Sequence, residues 1–390
     1  MRPLARTALA LALGVGTWLP VAHFALRPPP RGVRAARGEI PPLAEALLAH
    51  QRASWRERGG RGDETERMRA SCEEWDFMRR TFLVLSLANV ALRQPRRAPE
   101  LLRDIDSLID DTLAQERALG QERFLMGYAR RGAWVQQPPR SVFIDGEVAL
   151  MLGARRVVRD DGRYDREHAA RVALITERMA RSPTRGLESY PDECWTFCNT
   201  VALAALRLYD ARTGADHRET LAAWTRAARA QLTDPRTGML VSSFTVRGRV
   251  GDGPEGSSIF LAAHMLQLVD PPLARAQYAL ARRALGVSAL GFGWAREWPS
   301  GAAARADVDS GPTVPVLGAN PGASGLALLG AAAFGDEAWL RELLTSVRLA
   351  AFPQRSPRGV TLAAGNAVGD AVLLYALTMG PLWRAAGAGA

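Results

Sequence analysis

Lysine is absent from this chain of 390 residues, and cysteine and histidine are scarce. Three cysteines are too few for a disulfide framework, and five histidines that form no ligand pair predict neither a metal site nor a cofactor. All 50 basic residues are arginine and exceed the 40 acidic residues, which gives a formal net charge of +10. These arginines are scattered and do not form one run with aromatic neighbours, so we expect no nucleic-acid partner.

One long stretch near the start carries no charge at all. Arg2 and Arg6 precede the uncharged run from Thr7 to Leu26, which matches the ~20 residues that cross a bilayer as a helix. The run lacks a convincing small-residue cleavage site, so we predict an uncleaved signal anchor over residues 1–26. An Arg- and Pro-rich extended tether should follow over 27–40, and one domain over 41–390. We favour the extracytoplasmic, periplasmic side for that domain.

The rest of the chain has apolar residues at the spacings of three and four that are typical of helices. Gly and Pro separate these segments. The pattern predicts twelve helices, at 42–57, 68–92, 99–117, 141–157, 165–181, 193–212, 217–231, 257–269, 272–285, 321–334, 337–349 and 366–383. A small β-hairpin insertion is expected over 239–253, outside the helical body.

Composition alternates along these helices. The even-numbered ones are richer in small and apolar residues, and the odd-numbered ones carry more Arg and Glu. An inner helix touches neighbours on most sides and loses its polar stripe, so the even helices should lie inside. Twelve helices in two concentric rings make an all-α (α/α)6 toroid. An open helical solenoid is the alternative, although no 34- or 40-residue repeat supports it.

Polar and aromatic residues gather where the even helices begin, and a toroid brings those ends to one mouth. The candidate catalytic residues are Asp76, Glu147, Asp192, Cys198 and Asp309. The candidate substrate-binding residues are Trp75, Tyr190, Trp195, Asn199, Glu255, Ser257, Trp294 and Ser310. Each has a structural explanation as well, because acids stabilise helix starts, Asp and Ser form turns, and a free cysteine is often a small core residue. The shared aromatic surroundings favour a cavity.

The segment Tyr190-Pro191-Asp192-Glu193-Cys194-Trp195-Thr196-Phe197-Cys198-Asn199-Thr200 resembles linalool dehydratase/isomerase, a family with an (α/α)6 barrel. That family has a Cys-Glu-Pro-Asn type segment followed by Cys-Asn at its active-site helix. Pro191-Asp192 and Cys198-Asn199 match those pairs, and Ser189 stands where the family has its first cysteine.

The resemblance extends to two further positions. Asp76 corresponds to a family aspartate near the second helix, and Glu147 stands where the family has a histidine. The resemblance implies a lyase or isomerase that acts on an apolar or isoprenoid alcohol, with one carboxylic acid protonating the hydroxyl. A second acid would accept a proton, since acid/base chemistry needs both roles.

Two other functions remain open. Glycoside hydrolases and polysaccharide lyases share this architecture, and a glycosidase would use two of the same carboxylates across a sugar bond. A non-catalytic, membrane-tethered binding or assembly protein would only hold a ligand in the toroid mouth. The expected partners are thus a small molecule, isoprenoid-like or a sugar, and the lipid bilayer through residues 7–26.

Overall fold

The structure is a computed structural model that describes residues 3–33, 38–59, 63–301 and 310–387. Helices dominate these residues. In chain order they are α1 (Pro3–Leu26), α2 (Pro30–Val33), α3 (Pro42–Arg56), α4 (Glu64–Ser71), α5 (Glu73–Arg93), α6 (Ala98–Leu119), α7 (Val142–Val158), α8 (Asp165–Arg181), α9 (Thr196–Thr213), α10 (Arg218–Gln231), α11 (Gly256–Leu266), α12 (Pro271–Ala284), α13 (Pro321–Ala333), α14 (Glu337–Ala350), α15 (Ala367–Thr378) and α16 (Pro381–Ala385).

Six helices form a closed inner ring. In ring order α5, α7, α9, α11, α13 and α15 each pack against the next, and α15 packs against α5. The outer ring consists of α3, α6, α8, α10, α12 and α14. Inner helices are almost wholly buried, as every residue of α7 from Val142 to Arg156 shows, whereas the outer helices keep a charged face in water. The all-α (α/α)6 toroid and the inner position of the even helices are therefore confirmed.

Two of the twelve predicted helices are each divided into two helices in the structure. The segment 68–92 is interrupted at Cys72, whose extended backbone (φ −163°, ψ 120°) separates α4 from α5. The segment 366–383 ends at Thr378, and Gly380 with φ 118° precedes the short helix α16. A left-handed φ of this kind stops a helix, and glycine adopts it without steric cost.

The two faces of the toroid differ in the length of their connections. On one face, which we call the mouth face, each outer helix leads into the next inner helix through 57–72, 120–141, 182–195, 232–255, 285–320 and 351–366. On the opposite face, inner helices lead to outer ones through 94–97, 159–164, 214–217, 267–270 and 334–336. The long connections lie where the inner helices begin. Because functional residues concentrate on loops held by a rigid scaffold, the mouth face is where a site is expected.

Among the described residues, six short strands lie in the connections of the mouth face. They are β1 (Cys194–Trp195), β2 (Ser243–Phe244), β3 (Gly286–Ala289), β4 (Phe292–Ala295), β5 (Pro353–Ser356) and β6 (Gly359–Leu362), and each pairs antiparallel, β1 with β2, β3 with β4 and β5 with β6. The small hairpin predicted over 239–253 is present, since Phe244 bridges Val250 antiparallel, but it packs into the body and does not lie outside it. Its strand β2 pairs with β1, and Val241, Phe244 and Val246 are buried in the core.

Helix α1 is, among the described residues, the one helix long and apolar enough to cross a membrane. No residue of α1 is buried, and its contacts lie at its C-terminal end. The His23 ring is 3.1 Å from the Gly291 carbonyl oxygen, and Arg348 donates a 3.2 Å hydrogen bond to the Leu26 carbonyl. The following segment is not fully extended as predicted, because α2 is one helical turn and Val33 is buried.

Candidate active site

Glu147 is a buried carboxyl group in the second turn of α7. It is 3% exposed, and its Oε2 accepts a 2.6 Å hydrogen bond from Thr81 Oγ1 on the neighbouring inner helix α5. Burial raises the pKa of Glu147 to about 8, and the nearby Glu74 carboxylate adds to this while the bond from Thr81 opposes it. At neutral pH Glu147 is therefore mainly a protonated acid that can donate a proton.

Glu74 and Tyr190 form the second part of this site. The Tyr190 hydroxyl donates a hydrogen bond to Glu74 Oε1 and accepts a 3.0 Å bond from the Met126 backbone N–H. The Tyr190 ring stacks on Tyr128, with ring centroids 4.5 Å apart. Burial and the adjacent Glu74 raise the pKa of Tyr190 far above its usual value, so its hydroxyl stays protonated and donating.

Cys198 lies in the first turn of α9, on the third inner helix of the ring, and is 2% exposed. Burial raises the pKa of its thiol well above the usual value, against a hydrogen bond with Ser189, and the carboxylates of Glu147 and Glu74 act in the same direction as burial. Cys198 is thus a neutral thiol beside the two acids. A thiolate nucleophile, which needs a lowered pKa, does not fit this environment.

Aromatic rings pack beside these acids. Phe77 lies on α5 between Glu74 and Thr81 in the helical repeat, so the three share one face of the helix. The Phe77 ring meets Phe143 of α7 with centroids 5.2 Å apart, and Phe143 meets the half-buried Phe197 of α9 at 6.3 Å. The acids therefore sit beside apolar ring surfaces contributed by three inner helices.

A second polar cluster lies where α11 begins. Glu297, 2% exposed, accepts hydrogen bonds from the Ser257 hydroxyl and, at 3.3 Å, from the Ser257 backbone N–H. Burial raises the pKa of Glu297, and bonds from Ser257 and Ser310 oppose that shift. The cluster thus joins two predicted binding residues, Ser257 and Ser310, through a carboxyl group that sequence analysis did not select. Glu255, also predicted, is buried at the start of α11 and its backbone N–H donates to Ser242 Oγ at 3.0 Å.

Two predicted catalytic acids have structural partners. Asp76 is fully buried and forms ion pairs with Arg69 at 3.2 Å and Arg80 at 3.1 Å, so both its oxygens are engaged by guanidinium groups. Asp192 is exposed, has a left-handed φ of 52°, and accepts a 3.2 Å bond from the Val246 backbone N–H. Both carboxylates thus have partners in their own surroundings, and the expectation that they join Glu147 and Cys198 stays a prediction.

Several predicted substrate-binding residues also have partners within the protein. Asn199 is buried and bonded to the backbone of Leu187 and Trp195, so it fixes the loop before α9. The half-buried Trp195 donates its indole N–H to Glu193, and Trp294 donates its own to the Leu317 carbonyl. Trp75 is half-buried at the start of α5. Asp309 lies outside the described residues.

Cys194 and Cys198 are four residues apart, a spacing that would place both thiols on one face of a continuous helix. Cys194 belongs to strand β1, and α9 begins only at Thr196, so the two cysteines are not one turn apart on a helix. Both are free thiols.

Sequence reasoning missed Glu74, Thr81 and Glu297. The signal for the first two was present in the spacing, because residues 74, 77 and 81 recur at three and four and so share a face of α5. Asp76 lies on another face with Arg80, one turn further along. Choosing between the two acids needed the helical phase, which the break at Cys72 obscures. Glu297 lies in a connection, where no periodicity marks it.

The fold and this site define an (α/α)6 barrel with buried carboxyl groups at the N-terminal ends of its inner helices. The family model of linalool dehydratase/isomerase matches residues 147–367, more than half of the chain. The chain belongs to the linalool dehydratase/isomerase family. Among solved structures, it is similar to a GH76 α-mannanase from Bacteroides thetaiotaomicron, with a TM-score of 0.49 and 13% identity over 79% of this chain and 86% of that chain.

Proposed function

We propose that this protein is an enzyme that dehydrates or isomerises an apolar, isoprenoid-like alcohol, with Glu147 as its general acid. The observation that carries the proposal is the burial of Glu147, which raises its pKa to about 8 and keeps the carboxyl group protonated. A carboxylic acid held neutral in this way is what protonation of a hydroxyl leaving group requires. Membership of the linalool dehydratase/isomerase family supports the same reaction class.

A dehydration needs one group that donates a proton and another that accepts one. Glu147 gives its proton to the substrate hydroxyl, the C–O bond breaks, and water leaves with the bonding electron pair. A base then removes a proton from the carbon next to the cationic centre, and those C–H electrons form the double bond. We assign the Glu74 carboxylate as this base. It accepts a hydrogen bond from the Tyr190 hydroxyl. Proton return from Glu74 to Glu147 through the released water completes the cycle.

The residues around Glu147 favour an apolar substrate. Phe77 and Phe143 are fully buried rings, Phe197 is half-buried, and the neutral Cys198 thiol is a weak hydrogen-bond donor and acceptor. A hydrocarbon chain loses nothing by contact with these groups, whereas every sugar hydroxyl buried against them would need a partner.

One feature favours the alternative of a glycoside hydrolase or polysaccharide lyase. Glu74 and Glu147 are two carboxyl groups close enough for one to raise the pKa of the other, and a pair of carboxyl groups is what glycoside cleavage uses. The alternative of a non-catalytic binding or assembly protein predicts no turnover with either substrate class.

We also propose that α1 is a retained membrane anchor and that the toroid lies on the extracytoplasmic side. The support is the length of α1, 24 residues, its apolar composition and the absence of buried residues in it.

The decisive experiment uses the full chain in detergent or nanodiscs with a panel of allylic isoprenoid alcohols and chromophoric glycosides. Glu147→Gln should lower alkene formation by about 10²- to 10⁴-fold, the usual contribution of a general acid. Activity of the unmodified chain should fall as the pH rises above about 8, because Glu147 then loses the proton it donates.

The control is Glu177→Gln, which alters an exposed pair with Arg181 and should leave turnover unchanged. Cys198→Ser tests the thiol, and a neutral, non-nucleophilic thiol predicts a smaller loss than Glu147→Gln causes. Turnover of glycosides instead of alcohols would favour the hydrolase. Full alcohol turnover by Glu147→Gln would refute the assigned acid.

A further inference from the structure

Exposed apolar residues are confined to one face of the toroid. Outside α1, ten large apolar or tyrosine side chains are exposed in the part of the chain that the structure describes. All ten lie in mouth-face connections or in the last helical turn that leads into one, and Leu119, Val135, Val250, Leu290, Val316 and Phe352 are examples. Val316 is fully exposed, and Leu290 and Phe352 are 58% and 63% exposed. The large apolar residues of the opposite face, among those described, are buried or half-buried.

These residues are spread over several loops that are far apart in the sequence. They come from the connections 120–141, 232–255, 285–320 and 351–366, four of the six on this face. A single exposed apolar side chain needs no explanation, but a set that occupies one face and avoids the other marks an interaction surface.

Helix α1 joins the body at this same face. Its last turn contacts the β3–β4 hairpin, where the His23 ring lies 3.1 Å from the Gly291 carbonyl and meets Phe292 edge-on at 5.9 Å. The Leu26 carbonyl accepts its bond from Arg348, in the last turn of α14 just before the connection 351–366. A chain that leaves a bilayer at Leu26 therefore places the hairpin and its exposed Leu290 at the membrane surface.

Arginines accompany the apolar residues. Arg131, Arg247, Arg249 and Arg355 are exposed on the mouth face. Guanidinium groups at this position suit the headgroup layer, because an anionic lipid surface attracts basic residues that lie near it. Apolar side chains with basic neighbours are the composition of segments that lie in the interface.

We propose that the mouth face of the toroid rests on the lipid bilayer, so that the site opens toward the lipid phase. The occupant of this surface is the membrane itself, and the inference rests on the proposed anchoring by α1. An apolar alcohol that partitions into the bilayer then reaches the mouth without crossing water. The opposite face, with its short polar connections, points away from the membrane.

The test measures the depth of single positions in the full chain, reconstituted in vesicles of phosphatidylcholine and phosphatidylglycerol. The three native cysteines are buried, so a surface cysteine can be labelled selectively with an environment-sensitive fluorophore. Val316→Cys and Phe352→Cys report on the mouth face, and Arg96→Cys, exposed in the connection 94–97, is the matched control on the opposite face. Lipids that carry a nitroxide on the acyl chain quench the label by contact.

We expect quenching several-fold greater at positions 316 and 352 than at 96, with a blue-shifted emission at the first two. If the protein floats with the vesicles but quenching is equally weak at all three positions, the proposal is overturned. The occupant of the mouth face would then be a protein partner. Failure of the chain to float with vesicles would overturn both this proposal and the anchoring. Neither result would change the kinetics of Glu147→Gln in detergent, so failure of the proposed reaction is measured separately.

Discussion

The carboxyl groups of Asp76 and Glu147 serve two different purposes at the same end of the toroid. Asp76 forms ion pairs with Arg69 of α4 and Arg80 of α5 and so holds these two helices together. Glu147 has a threonine hydroxyl and apolar surroundings, and burial raises its pKa to about 8. The neighbours of a carboxyl group, more than its place in the sequence, decide whether it supports the fold or carries a proton.

This distinction predicts the effect of Asp76→Asn. Removing the charge takes the anion from Arg69 and leaves Arg80 with Asp111 alone, and breaking a buried ion pair costs roughly 3–5 kcal/mol. Denaturant unfolding should therefore show a clear loss of stability, while the folded fraction keeps its turnover. The exposed pair of Glu177 and Arg181 supplies the comparison, because Glu177→Gln should change stability by less than about 1 kcal/mol. An Asp76→Asn protein as stable as the parent but inactive would instead place Asp76 in the reaction.

At the scale of single elements, the helices could be predicted from the sequence, whereas the β3–β4 and β5–β6 hairpins could not. Helical spacing survives over twelve segments because each buries a continuous stripe. The β3–β4 hairpin turns at Leu290 and Gly291, both with positive φ, and a leucine at the first of these positions hides the turn signal that asparagine or glycine would give. Glu297 follows this hairpin in the same connection, where no helical or strand periodicity marks it.

Packing between inner helices α7 and α9 gives an element-scale prediction. A Cβ added at Gly153 would lie 2.8 Å from Leu208 Cβ, closer than real Cβ atoms approach. Gly153→Ala should therefore destabilise the protein by about 1–3 kcal/mol through overpacking, despite the better helix propensity of alanine. Gly325 of α13 has nothing within 4 Å of its added Cβ, so Gly325→Ala should stabilise by up to about 1 kcal/mol. Equal melting temperatures for the two variants would contradict this prediction. They would mean that α7 and α9 can move apart without loss of stability.

Over the whole molecule, residues that pack against the toroid begin earlier than the sequence predicts. The sequence predicts an extended tether over 27–40, yet Val33 and Ile40 are buried and belong to the hydrophobic core. Proline and arginine content alone does not reveal this, because the burial of one valine depends on a groove formed by distant residues.

Two truncations test that boundary. Removal of residues 1–26 should release a soluble toroid with nearly the stability of the full chain. Removal of residues 1–38 also uncovers the groove that Val33 fills, and the loss should be about 1.5–3 kcal/mol, the value of burying such a side chain. Thermal unfolding of the two purified products makes the comparison. A full chain found in the soluble fraction without detergent would show that α1 is not an anchor.

Closure of the inner ring has a consequence for how the protein is made. The ring closes where α15 packs against α5. Beside this contact, Gln51 Nε2 of α3 donates to the Ala367 carbonyl of α15, and the Leu382 N–H of α16 donates to Asn89 Oδ1 of α5, each at 3.0 Å. These partners are 316 and 293 residues apart, so the ribosome must deliver nearly the entire chain before the ring can shut. Until then one apolar side of the first inner helix lacks its partner, and apolar surface exposed in this way during synthesis is prone to aggregation.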